Sequence, residues 1–276
     1  MTDTIQPLSF YDRICVNSSG GKDSQTALRT IMRMVDQQGY DPTRVVLSHQ
    51  CLGHLEWPGT LDLVKLHARI YGLRLEVESY RDKEKRHLTL LDYVRKRRMW
   101  PSSTERFCTS EFKRGASGRV LTRLGNESIK RMNDPSPARI LNVFGFRAEE
   151  SSARAKRKPY SLNTRFTTLG RQVFDYLPIH TWTEEQVWQD IHESGVPYHE
   201  VYDQGMGRLS CTFCIFAPRN ALLTAAWLRP DLLQEYVDLE TEIGHDFQHK
   251  KPLRDIQAAM LAGERPVQNK DEKWNM

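Results

Sequence analysis

The stretch "VNSSGGKDSQTA" (Val16–Ala27) decides how this chain is read. Apolar "ICV" runs into it. "SQTALRTIMRMVDQQ" (Ser24–Gln38) leaves it as a helix, with Ala27, Leu28, Ile31, Met34 and Val35 on one stripe and Gly39 as the stop. In a loop between strand and helix, Gly20 and Gly21 let the backbone approach a ligand closely. Free N–H groups at the helix start attract an anion. Ser18, Ser19 and Ser24 add hydroxyls, and Lys22 adds a positive charge. The order is not G-x-x-x-x-G-K-[ST], because Asp23 follows the lysine and Val16 stands where the first glycine belongs.

Working outward, "RVVLSHQ" (Arg44–Gln50) and "RLEVESY" (Arg74–Tyr80) read as strands. Between them "TLDLVKLHARIYG" reads as a helix through Leu61, Val64, Ala68 and Tyr71, closed by Gly72. Strand, helix, strand, helix, strand predicts an α/β fold with a parallel sheet flanked by helices. A basic helical segment is predicted from about His87 to Lys130, then a polar break at Asn133–Arg139. "ILNVFG" (Ile140–Gly145) is a further strand. "TEEQVWQDIHESG" opens with a capping box, Thr183 with Gln186, and carries Val187, Trp188 and Ile191 on its apolar face, with Gly195 as its stop. The chain reads as helical from Arg219, Pro230 opens the last long helix, and the polar tail from about Glu264 is expected to fray. The expected domains are 1–216, nucleotide-binding, and 217–276, a helical C-terminal extension packed on it.

The 276 residues are 39% hydrophobic and 27% charged, the balance of an ordinary globular protein. No apolar run approaches the ~20 residues of a membrane span, and "MTDTIQPLSF" lacks the basic-then-apolar pattern of a signal peptide. The expectation is a cytoplasmic chain with no membrane partner. Its five cysteines are then metal-binding, catalytic or buried rather than disulfide-bonded. The net charge of +5 includes three basic clusters: Arg95–Arg98, Lys113–Arg114 and Arg154–Lys158. They are compatible with a nucleotide or nucleic-acid partner; a solvated face is the ordinary alternative.

Ser19-Gly20-Gly21-Lys22-Asp23-Ser24 resembles the SGGxDS motif of the PP-loop ATP pyrophosphatases, which cleave ATP between the α and β phosphates. "FGFRAEESSAR" (Phe144–Arg154) resembles the G-x-R-x-x-E-S-x-x-R stretch of the phosphoadenosine phosphosulfate reductase group within that superfamily. "GHLEWPGT" (Gly53–Thr60), "YLPIHTWTEEQVW" and "GVPYHEVYDQGMGRLSCTFC" follow the same group's order. The resemblance covers roughly residues 12–216. It implies an adenine nucleotide alpha-hydrolase-like, Rossmann-like fold that binds ATP. Ser18, Ser19, Gly20, Gly21, Lys22, Asp23, Ser24, Gly145, Arg147, Glu150 and Ser151 would hold the nucleotide. Lys22, Asp23, Arg147 and Arg154, with Mg²⁺, would act on its pyrophosphate.

Cys211 and Cys214 form C-x-x-C, a spacing shared by zinc, iron–sulfur and redox sites. Cys108 lies upstream in "RFCTSEFKRG". Iron–sulfur members of the resembled family carry adjacent cysteines here, whereas Thr109 follows Cys108 in this chain. The resemblance then implies a 4Fe-4S cluster on Cys108, Cys211 and Cys214 with one iron open, an arrangement linked to sulfur delivery. Two alternatives stay open: a Zn²⁺ site completed by Cys51 or a histidine, and buried unliganded thiols. Cys15 reads as core. Cys51, at the end of the second strand, is read as facing the nucleotide.

Reductases of the family use a C-terminal Glu-Cys-Gly cysteine, and no cysteine follows Cys214 in this sequence. The reading is therefore an ATP pyrophosphatase that adenylates a substrate for sulfur incorporation. DNA phosphorothioation is favoured and tRNA thiolation stands second, with a cysteine desulfurase as sulfur donor. The alternatives are an adenylylsulfate or phosphoadenylylsulfate reductase using an external thiol, and a non-catalytic nucleotide-binding subunit.

Overall fold

Strand β1 (Arg13–Asn17) is buried at every position, and its neighbours β2 (Val45–Gln50) and β4 (Ala138–Val143) are nearly so. Side chains alternate across a pleated strand, so these strands sort their residues onto two faces. Ile14, Val16, Val45, Leu47, Leu141 and Val143 enter one core, whereas Cys15, Val46 and Ile140 enter the other. A sheet covered on both faces is what continuous apolar strands require. In this computed structural model, which describes residues 4–132, 136–267 and 274, the sheet has six strands in the order β3-β2-β1-β4-β6-β5. All neighbours are parallel except the β5–β6 pair. Strand β3 is Arg74–Glu78, β5 Tyr160–Leu162 and β6 Arg171–Tyr176. The expected parallel α/β class is the observed one.

The described α-helices are α1 (Lys22–Gln38), α2 (Thr60–Ile70), α3 (Leu90–Arg97), α4 (Ala116–Met132), α5 (Ser152–Ala155), α6 (Glu184–Ser194), α7 (Arg219–Leu228), α8 (Pro230–Ile243) and α9 (Leu253–Leu261). Helix α1 begins at Lys22, so Lys22 and Asp23 belong to its first turn rather than to the loop before Ser24. Helices α1, α2 and α6 bury Leu28, Val64 and Val187 on one face of the sheet. Helix α4 covers the other face with Val120, Leu121 and Leu124. The Thr183–Gln186 capping box forms as expected, and Gly195 ends α6 at φ +63°. Trp188, expected on the apolar face, is only half-buried, with its ring edge-on to Tyr198.

The predicted helix over 87–130 is broken in two. A capping box between Thr89 and Asp92 opens α3, and Arg98, at φ +58°, closes it. Pro101 disfavours a helical Trp100, and the chain resumes as a π-helix, Cys108–Gly115, running into α4. Residues 133–135 of the polar break, and residues 268–273, 275 and 276 of the tail, lie outside the described residues.

The chain forms two compact units, each discontinuous in sequence. The first comprises Met1–Gln50, Gly59–Glu78 and Ala116–His199; the second comprises Cys51–Pro58, Ser79–Gly115 and Glu200–Met276. The expected boundary at 216/217 falls inside the second unit. Excursions after β2 and β3 and the segment from Glu200 join the C-terminal helices there, because they share an apolar centre. Trp100 stacks on Tyr236 at 5.3 Å, Phe213 and Phe247 pack against Tyr236, and the Trp100 Nε1–H donates to the His245 carbonyl at 3.0 Å. Buried Glu240 accepts from the amides of Phe247 and Leu253 at 2.8 and 2.9 Å, tying the α8–α9 connection.

Within the first unit, α1 and α6 are joined by a charge cluster. Arg29 and Arg33 donate to Asp190 Oδ1 at 2.9 and 2.8 Å, and the Asp190 side chain is 6% exposed. Removing one partner of such a cluster leaves charge uncompensated near the core. Asp190→Ala is expected to lower stability by about 2–4 kcal/mol, read as a lower urea midpoint with an unchanged slope.

Candidate active site

In an open α/β sheet a ligand sits beyond the carboxyl ends of the strands where the strand order reverses. Here that point lies between β1 and β4, which are adjacent although four α-helices separate them in sequence. The loop "NSSGG" leaves β1, and "FGFRAEES" leaves β4 beside it. The Ser18 N–H donates to the Ser48 carbonyl at 2.8 Å, and the Ser18 carbonyl meets His49 Nδ1 at 2.9 Å. Gly20 turns at φ +75°, a conformation that favours glycine. Ser24 Oγ donates to the Gly21 carbonyl at 2.8 Å and accepts from the Ser19 N–H at 3.2 Å, so the loop is shaped before any ligand arrives.

Gly145 explains how the two loops meet. A Cβ on it would lie 2.3 Å from the Asp23 carbonyl oxygen and 2.8 Å from the Ser24 nitrogen. Backbone passes against backbone there, at the first turn of α1.

Arg147 is the hub of the charges. Its Nε donates to Asp23 Oδ1 at 2.6 Å, Nη1 pairs closely with Glu149, and Nη2 lies 3.6 Å from Glu184. Its side chain is 3% exposed. Burial works against the guanidinium, but Asp23, Glu150 and Glu149 together hold its pKa above the ordinary value. Lys22 is equally buried, its Nζ 3.4 Å from Glu184 and 3.7 Å from Asp23. Glu184 thus bridges Lys22 and Arg147, and the Glu184 N–H donates to Glu149 at 2.8 Å.

Of the sequence-predicted residues, the structure brings Lys22, Asp23, Gly145 and Arg147 together with the Ser18–Ser24 loop. Glu150, Ser151 and Arg154 have local partners. Glu150 accepts from the Arg147 N–H at 3.0 Å and pairs with Arg154, Ser151 Oγ caps α5, and Arg154 lies over the Phe146 ring. Glu149 and Glu184 escaped the sequence reading. Glu184 follows the Thr183 cap, where an acid is ordinary helix chemistry, and only proximity to Lys22 marks it.

A carboxylate between two cations competes with any anion for them. Glu184→Gln is therefore expected to tighten inorganic pyrophosphate binding by about 5–20-fold, the effect of removing one close like charge. Isothermal titration calorimetry at fixed ionic strength reads this, and weaker binding would assign Glu184 to the ligand side.

A polar ladder, also missed from sequence, crosses the strand ends. Asn17 Nδ2 donates to Asn142 Oδ1 at 2.8 Å, and Asn142 Nδ2 donates to Asp175 Oδ1 at 2.7 Å. Asn163 Nδ2 donates to Asp175 Oδ2 at 2.8 Å. Burial raises the Asp175 pKa against the pull of these two amides. The ladder locks β1, β4 and β6 at the level where the loops depart.

In the second unit, Cys108 opens the π-helix, and Cys211 and Cys214 lie in the 203–218 loop. That loop is anchored by the Thr212 N–H donating to the Leu55 carbonyl at 2.9 Å. Desolvation raises all three thiol pKa values, and the Lys113 ammonium pulls each of them back. The charge on Cys211 in turn holds Lys113 above its ordinary value, with Cys108 and Cys214 adding to it. The Lys113 charge thus acts on all three thiols. Among the described residues the three sulfurs do not all lie within 4.8 Å of one another. Cys51 Sγ accepts from the Gly53 N–H at 3.3 Å. Cys15 is fully buried, its thiol pushed up to about 12 by desolvation, which makes it core as expected. Among the described residues no helix is long and apolar enough to cross a membrane.

The chain is 28% identical over 251 residues to an uncharacterised protein of Methanocaldococcus jannaschii, an overlap of 88% of this chain and 53% of that protein. It is 29% identical over 86 residues to adenosine 5'-phosphosulfate reductase of Staphylococcus epidermidis, covering 31% of this chain and 33% of that enzyme. The chain thus spans about half, or less, of the length of these curated relatives. Among solved structures it resembles phosphoadenylyl-sulfate reductase from Candida auris (19% identity, TM-score 0.43, covering 72% of this chain and 80% of that one). It also resembles a U34-tRNA thiolase from Methanococcus maripaludis (12% identity, TM-score 0.40, covering 90% and 72%). Residues 13–217, from the first residue of β1 to just past the C-x-x-C pair, match the phosphoadenosine phosphosulfate reductase domain, and the chain belongs to that family.

Proposed function

We propose that this chain is an ATP pyrophosphatase that adenylates an acceptor so that sulfur can enter it. The observation that carries the reading is the buried Lys22–Asp23–Arg147 cluster against the first turn of α1 at the switch point. An acceptor oxygen attacks the α-phosphorus of ATP. The bond from that phosphorus to the bridging oxygen breaks, and pyrophosphate leaves carrying the electron pair. Lys22 and Arg147 compensate the charge that grows on it, and Asp23 would hold its Mg²⁺. A sulfur nucleophile at the sulfide level then displaces AMP; a persulfide donor, such as a cysteine desulfurase supplies, also needs two electrons from a thiol.

The family supports sulfur-related nucleotide chemistry, and the basic clusters support a nucleic-acid acceptor, with the DNA backbone (phosphorothioation) favoured over tRNA. Cys108, Cys211 and Cys214 would hold the metal group. When bound, a 4Fe-4S cluster with one open iron supplies a seat for sulfur. Lys113 balances part of the thiolate charge.

Anaerobically purified protein with ATP, Mg²⁺ and single-stranded DNA is expected to release pyrophosphate, and AMP once sulfide is added. Release of ADP, or of sulfite from adenylylsulfate with a thiol reductant, would overturn the assignment. A broad absorbance near ~400 nm is expected and should vanish in Cys211→Ser. Colourless protein holding stoichiometric zinc would remove the cluster from the proposal.

A further inference from the structure

The basic run Arg95–Arg98 has no part in the chemistry above, yet its Arg97 lines a recess of about 440 Å³ in the second unit. The recess lies between α3 and the segment that leads into the π-helix. Its lining includes Tyr93, Arg97, Arg106, Phe107 and Arg114, together with the carboxylates of Glu105 and Glu111. One wall is rigid. Tyr80 stacks on buried Phe112 at 4.4 Å, Tyr93 meets Phe112 edge-on at 5.6 Å, and Phe107 lies 5.3 Å from Tyr93. The facing loop is braced too, the Glu105 N–H donating to Ser102 Oγ at 2.9 Å.

The arginines are planted on rings. The Arg97 guanidinium lies 5.0 Å from the Phe107 centroid and 5.9 Å from that of Tyr93, and Arg106 lies 4.7 Å from Phe216. A stacked guanidinium has its plane fixed while its N–H edge remains available, and that planar fork matches a phosphate. Arginines seated on rings at a concave recess offer positive charge to the phosphates of a single nucleic-acid strand. A duplex presents its phosphates on a convex surface and does not enter such a recess. Glu105 holds Arg97 at 2.9 Å and so competes for it.

We infer that this recess seats the phosphate backbone of a single nucleic-acid strand. The inference rests on the nucleic-acid acceptor proposed above and names the surface that receives it.

The test is fluorescence anisotropy with a labelled oligothymidylate of about 12 nucleotides, titrated without ATP across about 0.05 to 0.2 M KCl. Each neutralised phosphate of a single strand contributes a slope of about −0.7 to log K against log salt. Arg97→Ala/Arg106→Ala is therefore expected to flatten the slope by about 1.4 and to weaken binding by about 10-fold or more at the lowest salt. Glu105→Gln releases Arg97 and is expected to tighten binding by about 3-fold. This gain cannot arise from misfolding. An unchanged slope in the double variant, or no gain in Glu105→Gln, overturns the inference. So does equal competition by AMP, which would mark a mononucleotide site, or by a poly-glutamate peptide, which would mark an acidic-peptide site. Pyrophosphate release is assayed separately. Release without strand binding at this recess sinks this inference alone, and strand binding without release sinks the ATP reading alone.

Discussion

Gly145→Ala is expected to abolish ATP-dependent pyrophosphate release while leaving a folded chain of reduced stability. The added methyl would lie 2.3 and 2.6 Å from the carbonyl oxygen and carbon of Asp23 and 2.8 Å from the Ser24 nitrogen. These are backbone atoms of the first turn of α1, and no rotamer change relieves them. Either that turn or the exit of β4 must move. Overpacking of this kind costs about 1–3 kcal/mol or more, and a shift approaching 1 Å at a reacting centre costs about 100-fold in rate. Gly39→Ala is the matching control. Gly39 ends α1 at φ +61° with open space around its Cβ position, so the alanine there is strained by about 1 kcal/mol and touches nothing at the site. The expected pair of results is a fall in melting temperature in both variants, the larger at position 145, but loss of pyrophosphate release only at position 145. Comparable activity in both variants would show that the contact between the two loops does not shape the site.

Arg147→Ala carries the second large effect. The guanidinium meets Asp23, Glu149 and Glu184, which come from three different elements. Without it, three carboxylates stand close together with one compensating charge fewer. The expected cost is about 3 kcal/mol in stability and about 1,000-fold in kcat/KM for ATP. Arg147→Lys keeps the charge but not the fork, and is expected to lose about 100-fold. The pH dependence has a definite sign. Removing the guanidinium takes away a positive charge that offsets the mutual repulsion of these carboxylates, so acidification relieves more repulsion in the variant than in the parent. The stability gap between variant and parent should therefore shrink on going from pH 7 towards pH 5, as read by urea unfolding. A gap that widens on acidification would contradict a role for Arg147 as counter-charge.

Much of the fold was legible because its signals are local. The apolar stripe of α1, the cap Thr183 with Gln186, the stop at Gly195 and Pro230 opening α8 are all set by residues within a turn or two of one another. Strand β6 was missed because five of its six positions are only half-buried, which erases both alternation and a continuous apolar run. The predicted helix over 87–130 was legible as helical but not as two pieces. Its break depends on the left-handed Arg98 and on Trp100, held by Tyr236 and His245 from far along the chain. The single boundary expected at 217 failed to register that excursions after β2 and β3 belong with the C-terminal helices. That grouping rests on shared burial, and composition carries no trace of it.

By itself, the order of residues around "SGGKDS" determined that a strand, an anion-binding turn and a helix would follow one another. The reason is local: glycine freedom, serine hydroxyls and the unpaired amides of a helix start act within a few residues. Which charges surround that turn was decided only by tertiary structure. Arg147 reaches Asp23 across 124 positions in sequence, and Glu184 reaches Lys22 from the first turn of α6. Parallel strands need long crossovers, so β4 and the start of α6 come beside β1 only once the sheet is assembled. The sheet thereby turns an anion-binding turn into a site with its own buried counter-charges.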